Sequence, residues 1–136
     1  MEPDRSLFGS GPYPITGPLA IAARAAFLMS LAGIAVAVLL PADMVPQFLR
    51  SSYLEHFAAY YVATLLGLAA SPRAPLPKVA ARISVFATLL EAVHLLRGAA
   101  IGPLIDNWVA DLGGVAAALA PFAVARFRAR FAPPPS

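Results

Sequence analysis

Two apolar stretches of the sequence carry ionisable residues at helical spacing. Glu91, His94 and Arg97 follow one another at intervals of three residues in LLEAVHLLRG, and Asp106 and Asp111 fall within IDNWVADLGG. Charged side chains inside apolar helices are costly, so we treat these residues first as a functional site. Carboxylate, imidazole and guanidinium groups together can bind a polar ligand or a metal ion.

The metal-binding alternative rests on one short motif. Glu91 and His94 have the spacing of a helical carboxylate–imidazole half-site. His56 and Asp111 would complete a ligand set acceptable to zinc or iron. The sequence holds one such motif and two histidines in total. We therefore keep an intramembrane metal-dependent hydrolase as an alternative and predict neither a metal nor another cofactor.

The same residues can also be explained by purely structural roles. Asp106 and Asn107 suit the first turn of a helix, where an acid complements the helix dipole, and Arg97 suits a helix end. Glu91 and His94 can pair across a bundle, because buried charge is tolerated when it is paired. The depth of Glu91 in its apolar run nevertheless favours a functional role.

No complete set of catalytic residues accompanies this site. The chain has no cysteine, so it has no thiolate nucleophile and no disulfide framework. The hydroxyls of Ser30, Thr64, Ser84 and Thr88 fall away from both histidines along the predicted helices, where they typically bond helix carbonyls. The sequence therefore favours a binding protein over an enzyme.

Composition indicates that the elements positioning these residues are membrane helices. Of the 136 residues, 60% are hydrophobic and 12% are charged, whereas soluble domains carry roughly 25% charged residues. Proline clusters separate four apolar runs at about 19–40, 53–70, 79–97 and 106–126, and each is close to the ~20 residues that a membrane span needs. We predict an all-α fold, a bundle of four transmembrane helices.

Basic residues predict how this bundle is oriented. Eight of the ten fall on the side shared by the N-terminus, the link between the second and third helices and the C-terminus, and Arg50 and Arg97 lie on the other side. Because cytoplasmic segments are enriched in Lys and Arg, both termini are predicted to be cytoplasmic. The same rule explains the pI of about 9.8, so no nucleic-acid partner is expected.

The predicted organisation has three parts. A flexible N-terminal tail covers residues 1–17, a four-helix membrane domain covers 18–127, and a basic, proline-rich C-terminal tail covers 128–136. The first span is expected to remain uncleaved, because its apolar run begins late and is long enough to cross a membrane. Stripes of small residues, such as Ser30, Gly33 and Ala37 in the first helix, are predicted to let the helices approach closely.

Short motifs in the last three helices resemble those of a known family. His56, Phe57 and Tyr60 match a His-Phe-x-x-Tyr pattern, Glu91 matches a single glutamate, and Ala110, Asp111 and Gly114 match an Ala-Asn/Asp-x-x-Gly pattern. Over about 41–120 the chain resembles the VanZ-like family of small integral membrane proteins. It departs from that family at His94, where glutamine is usual, and at Tyr53, where lysine is common. The resemblance implies a role in the cell envelope and no established cofactor.

Together these features predict a multi-pass protein of the bacterial inner membrane. Its periplasm-facing polar cluster is expected to bind a polar envelope ligand, such as a lipid headgroup or a cell-wall intermediate. The alternative is a non-catalytic accessory subunit of a larger membrane protein complex. Membrane lipids are the expected partners in the first case, and that complex in the second. The predicted ligand-binding residues are His56, Tyr60, Glu91, His94, Arg97, Asp106 and Asp111.

Overall fold

The computed structural model describes residues 17–133, and every regular element in that range is helical. The predicted tails cover 1–17 and 128–136; of these, residues 1–16, including Arg5, and 134–136 lie outside the described residues. The prediction of an all-α fold is confirmed for the described part of the chain. Its elements are α1 (Pro18–Leu39), a 3₁₀ turn (Ala42–Met44), α2 (Ser52–Ala70), α3 (Leu76–Leu96) and α4 (Ile101–Ala129).

Proline occurs inside helices as well as between them. The helices α3 and α4 begin at Leu76 and Ile101, earlier than the predicted starts at about 79 and 106, and contain Pro77 and Pro103 near their first turns. The first amide groups of a helix have no acceptor within it, so proline sacrifices no hydrogen bond there. A rule that treats proline only as a helix breaker therefore places the first residues of α3 and α4 too far along the chain.

The helices run up and down alternately, with α2 in contact with each of the other three. The ends of α1 and α3 meet, because Arg97 Nη1 donates hydrogen bonds of 3.0 and 3.1 Å to the carbonyl oxygens of Val38 and Leu39. At the opposite end, Arg24 near the start of α1 and Lys78 near the start of α3 line one depression with the α2–α3 turn. Most basic residues of the helices are therefore gathered at one end of the bundle.

The bundle has the surface of a membrane protein. Among the described helices, α1, α3 and α4 are long and apolar enough to cross a membrane. Large apolar side chains such as Leu28, Met29 and Leu89 are exposed on the outside, as expected where lipid is the surrounding solvent. We conclude that the chain is a multi-pass membrane protein.

Small residues bring α2 and α4 together. Ala63 of α2 and Ala110 of α4 are fully buried. A Cβ atom at Gly114 would lie 2.9 Å from the backbone nitrogen of Tyr61 and closer still to the carbonyl oxygen of Phe57. Helices in lipid associate through such close packing, because no hydrophobic driving force exists between them.

The corresponding stripe on α1 does not pack as predicted. Apart from the adjoining residues of α1 itself, no atom of the described residues lies within 4 Å of the position that a Cβ atom would take at Gly33, and Ala37 is exposed. This half of α1 stands away from α2 and leaves a space between the two helices. Small side chains here shape a groove instead of a tight interface.

Candidate functional site

One side chain from each of α2, α3 and α4 meets the other two towards the end of the bundle where α1 and α3 terminate. The Nδ1 atom of His56 lies 2.8 Å from Asp111 Oδ1 and 3.9 Å from Glu91 Oε1. Potential ligand atoms of the three residues all lie within 4.8 Å of one another. We refer to His56, Glu91 and Asp111 as the triad.

Helical periodicity places each member of the triad on the inward face of its helix. On α3 the buried residues recur at every fourth position and end at Glu91, which therefore points into the bundle. His56 lies one turn before the buried Tyr60, and Asp111 lies one turn before Val115. The buried residues of α3 are Val79, Ile83, Ala87 and Glu91, and those of α4 are Ala110, Asp111, Gly114, Val115 and Ala118.

The two carboxyl groups of the triad are almost completely removed from solvent. Asp111 is 0% exposed and Glu91 is 4% exposed. Asp111 Oδ2 has no hydrogen-bond partner among the described residues, while Glu91 Oε2 lies 3.3 Å from His94 Nδ1. Buried carboxyl groups need a proton or a positive partner to offset the loss of hydration. The triad is therefore a place where a proton or a cation would be favoured.

A cavity of about 320 Å³ opens beside the triad. Its polar wall contains His56, Tyr60 and His94, and its opposite wall is the apolar second half of α1. Asn107, which the sequence suggested as a helix cap, also lines the cavity and accepts a hydrogen bond of 3.3 Å from Ser52 Oγ. The cavity thus offers imidazole, phenol and amide groups to a polar molecule.

A larger apolar groove of about 680 Å³ lies next to this cavity, between α1 and α2. Ser30, Gly33 and Ala37 form part of its α1 wall, so the stripe that fails to pack lines the groove. The two spaces are adjacent and share six lining residues. The residues that line both are Ile34, Ala37, Leu40, Val45, Glu55 and Ala59.

Glu55 anchors the link between α1 and α2 to the start of α2. Its Oε1 atom accepts hydrogen bonds of 2.6 and 2.7 Å from the backbone amides of Phe48 and Leu49. Glu55 was absent from the predicted site residues. An acidic residue in the first turn of a helix has an ordinary explanation in the helix dipole, so the sequence offered no signal that it organises the preceding loop.

The structure leaves two of the predicted site residues outside the triad and the cavity. Arg97 instead donates to the carbonyl groups that end α1. Asp106 is exposed in the first turns of α4. The remaining predicted residues either form the triad or line the cavity; they are His56, Tyr60, Glu91, His94 and Asp111.

Replacing Arg97 with alanine should destabilise the junction of α1 and α3. The variant loses two hydrogen bonds from a charged donor to Val38 and Leu39. Because Arg97 is exposed, solvent screening should reduce the loss to about 1 kcal/mol, below the usual contribution of two such bonds. Thermal unfolding in detergent measures it, with Arg50→Ala as the control. Equal unfolding temperatures for the two variants would contradict the assignment.

Comparison of the chain with protein families, curated proteins and solved structures finds no match. The fold and the site therefore define the protein at the level of a class. It is a helical multi-pass membrane protein in which a triad of one histidine and two buried carboxyl groups adjoins a polar cavity and an apolar groove.

Proposed function

We propose that this chain is an inner-membrane protein that binds an amphiphilic lipid of the bacterial cell envelope. The polar head of the ligand would occupy the cavity, and an acyl chain would lie in the groove. The adjacency of these two spaces, which share six lining residues, carries the proposal. A phospholipid and a lipid-linked cell-wall intermediate share this two-part chemistry.

The polarity of the residues that line the two spaces supports placing the polar head in the cavity and the acyl chain in the groove. Ser30 and Glu55 are the polar residues of the groove, whose other lining residues are apolar or glycine. The cavity, in contrast, exposes His56, His94 and Asn107 on one side. Ligand sites of this kind are predominantly apolar, with a few polar groups that fix the orientation of the ligand.

Three further considerations support a four-span protein with this site facing outward. At 1.5 Å per residue the 19 residues of α2 extend about 28 Å, close to the ~30 Å hydrocarbon core. His56 of α2 contacts Asp111 of α4, and Tyr60 and Thr64 of α2 are buried, so several polar side chains of this helix lie inside the bundle. The end of the bundle with Arg24, Lys78 and Arg82 would be cytoplasmic under the positive-inside rule. The VanZ-like resemblance favours the same location in the cell envelope.

Filling the junction between cavity and groove tests the proposal. Ala59 lines both spaces, so Ala59→Phe should obstruct the ligand while leaving the helix contacts intact. We expect retention of co-purified lipid in mild detergent to fall by at least about tenfold, equivalent to about 1.4 kcal/mol. Native mass spectrometry of the purified chain measures the bound lipid.

Ala69→Phe provides the matched control, because Ala69 is an exposed residue of the same helix outside both spaces. It should retain lipid like the unmodified protein. Equal retention by both variants, or no bound lipid in the unmodified protein, would contradict the proposal. Purification only as a stoichiometric complex with another membrane protein would favour the accessory-subunit alternative.

A further inference from the structure

The geometry points to a divalent transition-metal site formed by His56, Glu91 and Asp111, which goes beyond the binding of lipid. One imidazole and two carboxylates from three different helices supply the ligands. Nitrogen and oxygen donors in this combination suit Zn²⁺, Fe²⁺ or Mn²⁺, whereas Mg²⁺ and Ca²⁺ favour oxygen donors.

The separations within the triad suit a single small cation. Bonds of about 2.0–2.2 Å in tetrahedral geometry put neighbouring ligand atoms about 3.3–3.6 Å apart. The distances from His56 Nδ1 to Asp111 Oδ1 and Glu91 Oε1, 2.8 and 3.9 Å, lie on either side of this range. With all three ligand atoms within 4.8 Å of one another, small side-chain rotations bring them around one ion.

A second, independent observation comes from the unused oxygen of Asp111. Asp111 is completely buried, and its Oδ2 atom has no hydrogen-bond partner in the described part of the chain. An unsatisfied buried polar atom requires a physical explanation. Arg97 does not supply the positive partner, because it donates to the end of α1. A cation bound between the carboxylates satisfies Oδ2 and offsets both negative charges.

His94 and the cavity complete the site. His94 Nδ1 lies 3.3 Å from Glu91 Oε2, so it holds the carboxylate in place as a positioning residue. Partners of this kind typically contribute 10–100-fold to metal affinity. His56 and His94 also line the polar cavity, which gives an ion a route of entry. With three protein ligands, one tetrahedral position stays open, as in zinc sites that accept an exogenous ligand.

Protons are the competing explanation, because protonated carboxyl groups would also remove the buried charge. The two explanations differ in what the purified protein binds. A site satisfied by protons takes up no stoichiometric zinc, and its isosteric Asp→Asn variant loses no metal. Zinc alone is therefore the discriminating probe.

The experiment uses the full chain without a polyhistidine tag, in detergent, stripped with a chelator and then titrated with Zn²⁺. Bound metal is measured by mass spectrometry after removal of free ions. We expect about one ion per chain in the unmodified protein, and its loss in Asp111→Asn, Glu91→Gln and His56→Gln. His94→Gln should weaken binding by about 10–100-fold. Asp106→Asn, an exposed acid of the same helix, is the matched control and should bind normally.

Thermal unfolding distinguishes a variant that has lost zinc binding from a variant that has failed to fold. Zinc should raise the unfolding temperature of the unmodified protein and of Asp106→Asn, and leave that of Asp111→Asn unchanged, because a ligand stabilises only the state it binds. Less than one tenth of an equivalent of zinc in the unmodified protein would overturn the inference. So would full retention by Asp111→Asn. Lipid retention by Ala59→Phe is measured separately, so a failure of either proposal leaves the other distinguishable.

Discussion

Replacing Gly114 with alanine is expected to destabilise the bundle by about 3 kcal/mol, the upper part of the usual range for overpacking. The added methyl group would lie 2.9 Å from the backbone nitrogen of Tyr61 and would overlap the carbonyl group of Phe57. Neither atom can rotate away, since both belong to the backbone of α2. The two helices must separate, and His56 and Asp111 separate with them.

This destabilisation is the opposite of what helix propensity alone would predict for Gly114→Ala. Within a helix, alanine is favoured over glycine by about 0.5–1 kcal/mol, so a loose interface would make Gly114→Ala stabilising. Gly113→Ala is the matched control, because a Cβ atom there would make ordinary contact at 3.5 Å with the ring of Phe57. Unfolding in detergent by heat or denaturant measures both. An unfolding temperature of Gly114→Ala at or above that of Gly113→Ala would rule out the close approach.

The helical architecture could be predicted because proline and hydropathy act locally. A run of apolar residues between proline clusters has few alternatives in lipid, where backbone groups must bond within the helix. Alternating helix directions place His56, Glu91 and Asp111 near one end of the bundle, and the 3.6-residue period places each on the inward face of its helix. These steps need no knowledge of particular contacts.

Other features depend on contacts between segments that no local pattern specifies. The stripe with Gly33 and Ala37 has the composition of an interface, yet it lines a groove, because composition does not indicate which neighbour approaches. Arg97 has the position of a site residue, but its long side chain reaches the end of α1. Which group a long side chain contacts is decided by how the helices pack in the folded chain.

The role of Glu55 was missed for the same reason. Its partners are backbone amides six and seven residues earlier, and backbone amides carry no sequence signature. The residue therefore looked like a routine first-turn acid. Its importance is visible only after the link between α1 and α2 has been placed against the start of α2.

Replacing Glu55 with alanine should release this link without unfolding the bundle. The two hydrogen bonds to the amides of Phe48 and Leu49 have a charged acceptor, and such bonds contribute about 1.5–3 kcal/mol each. Because Glu55 is half-buried, we expect about 3 kcal/mol in total, discounted for solvent. The cavity and the groove would each lose a wall, and lipid retention should fall with them.

Hydrogen exchange separates this local effect from a global one. If opening of the link becomes about 3 kcal/mol easier, the amides of Phe48 and Leu49 should exchange about a hundredfold faster in Glu55→Ala, while the amides of α3 keep their protection. Glu55→Gln should fall in between, because its amide oxygen still accepts hydrogen bonds but lacks the charge. Asp43→Ala, an exposed acid in the preceding turn, should change neither amide. Unchanged exchange at Phe48 and Leu49 in Glu55→Ala would mean that this carboxylate does not hold the wall of the site, and the shape of the cavity would need another cause.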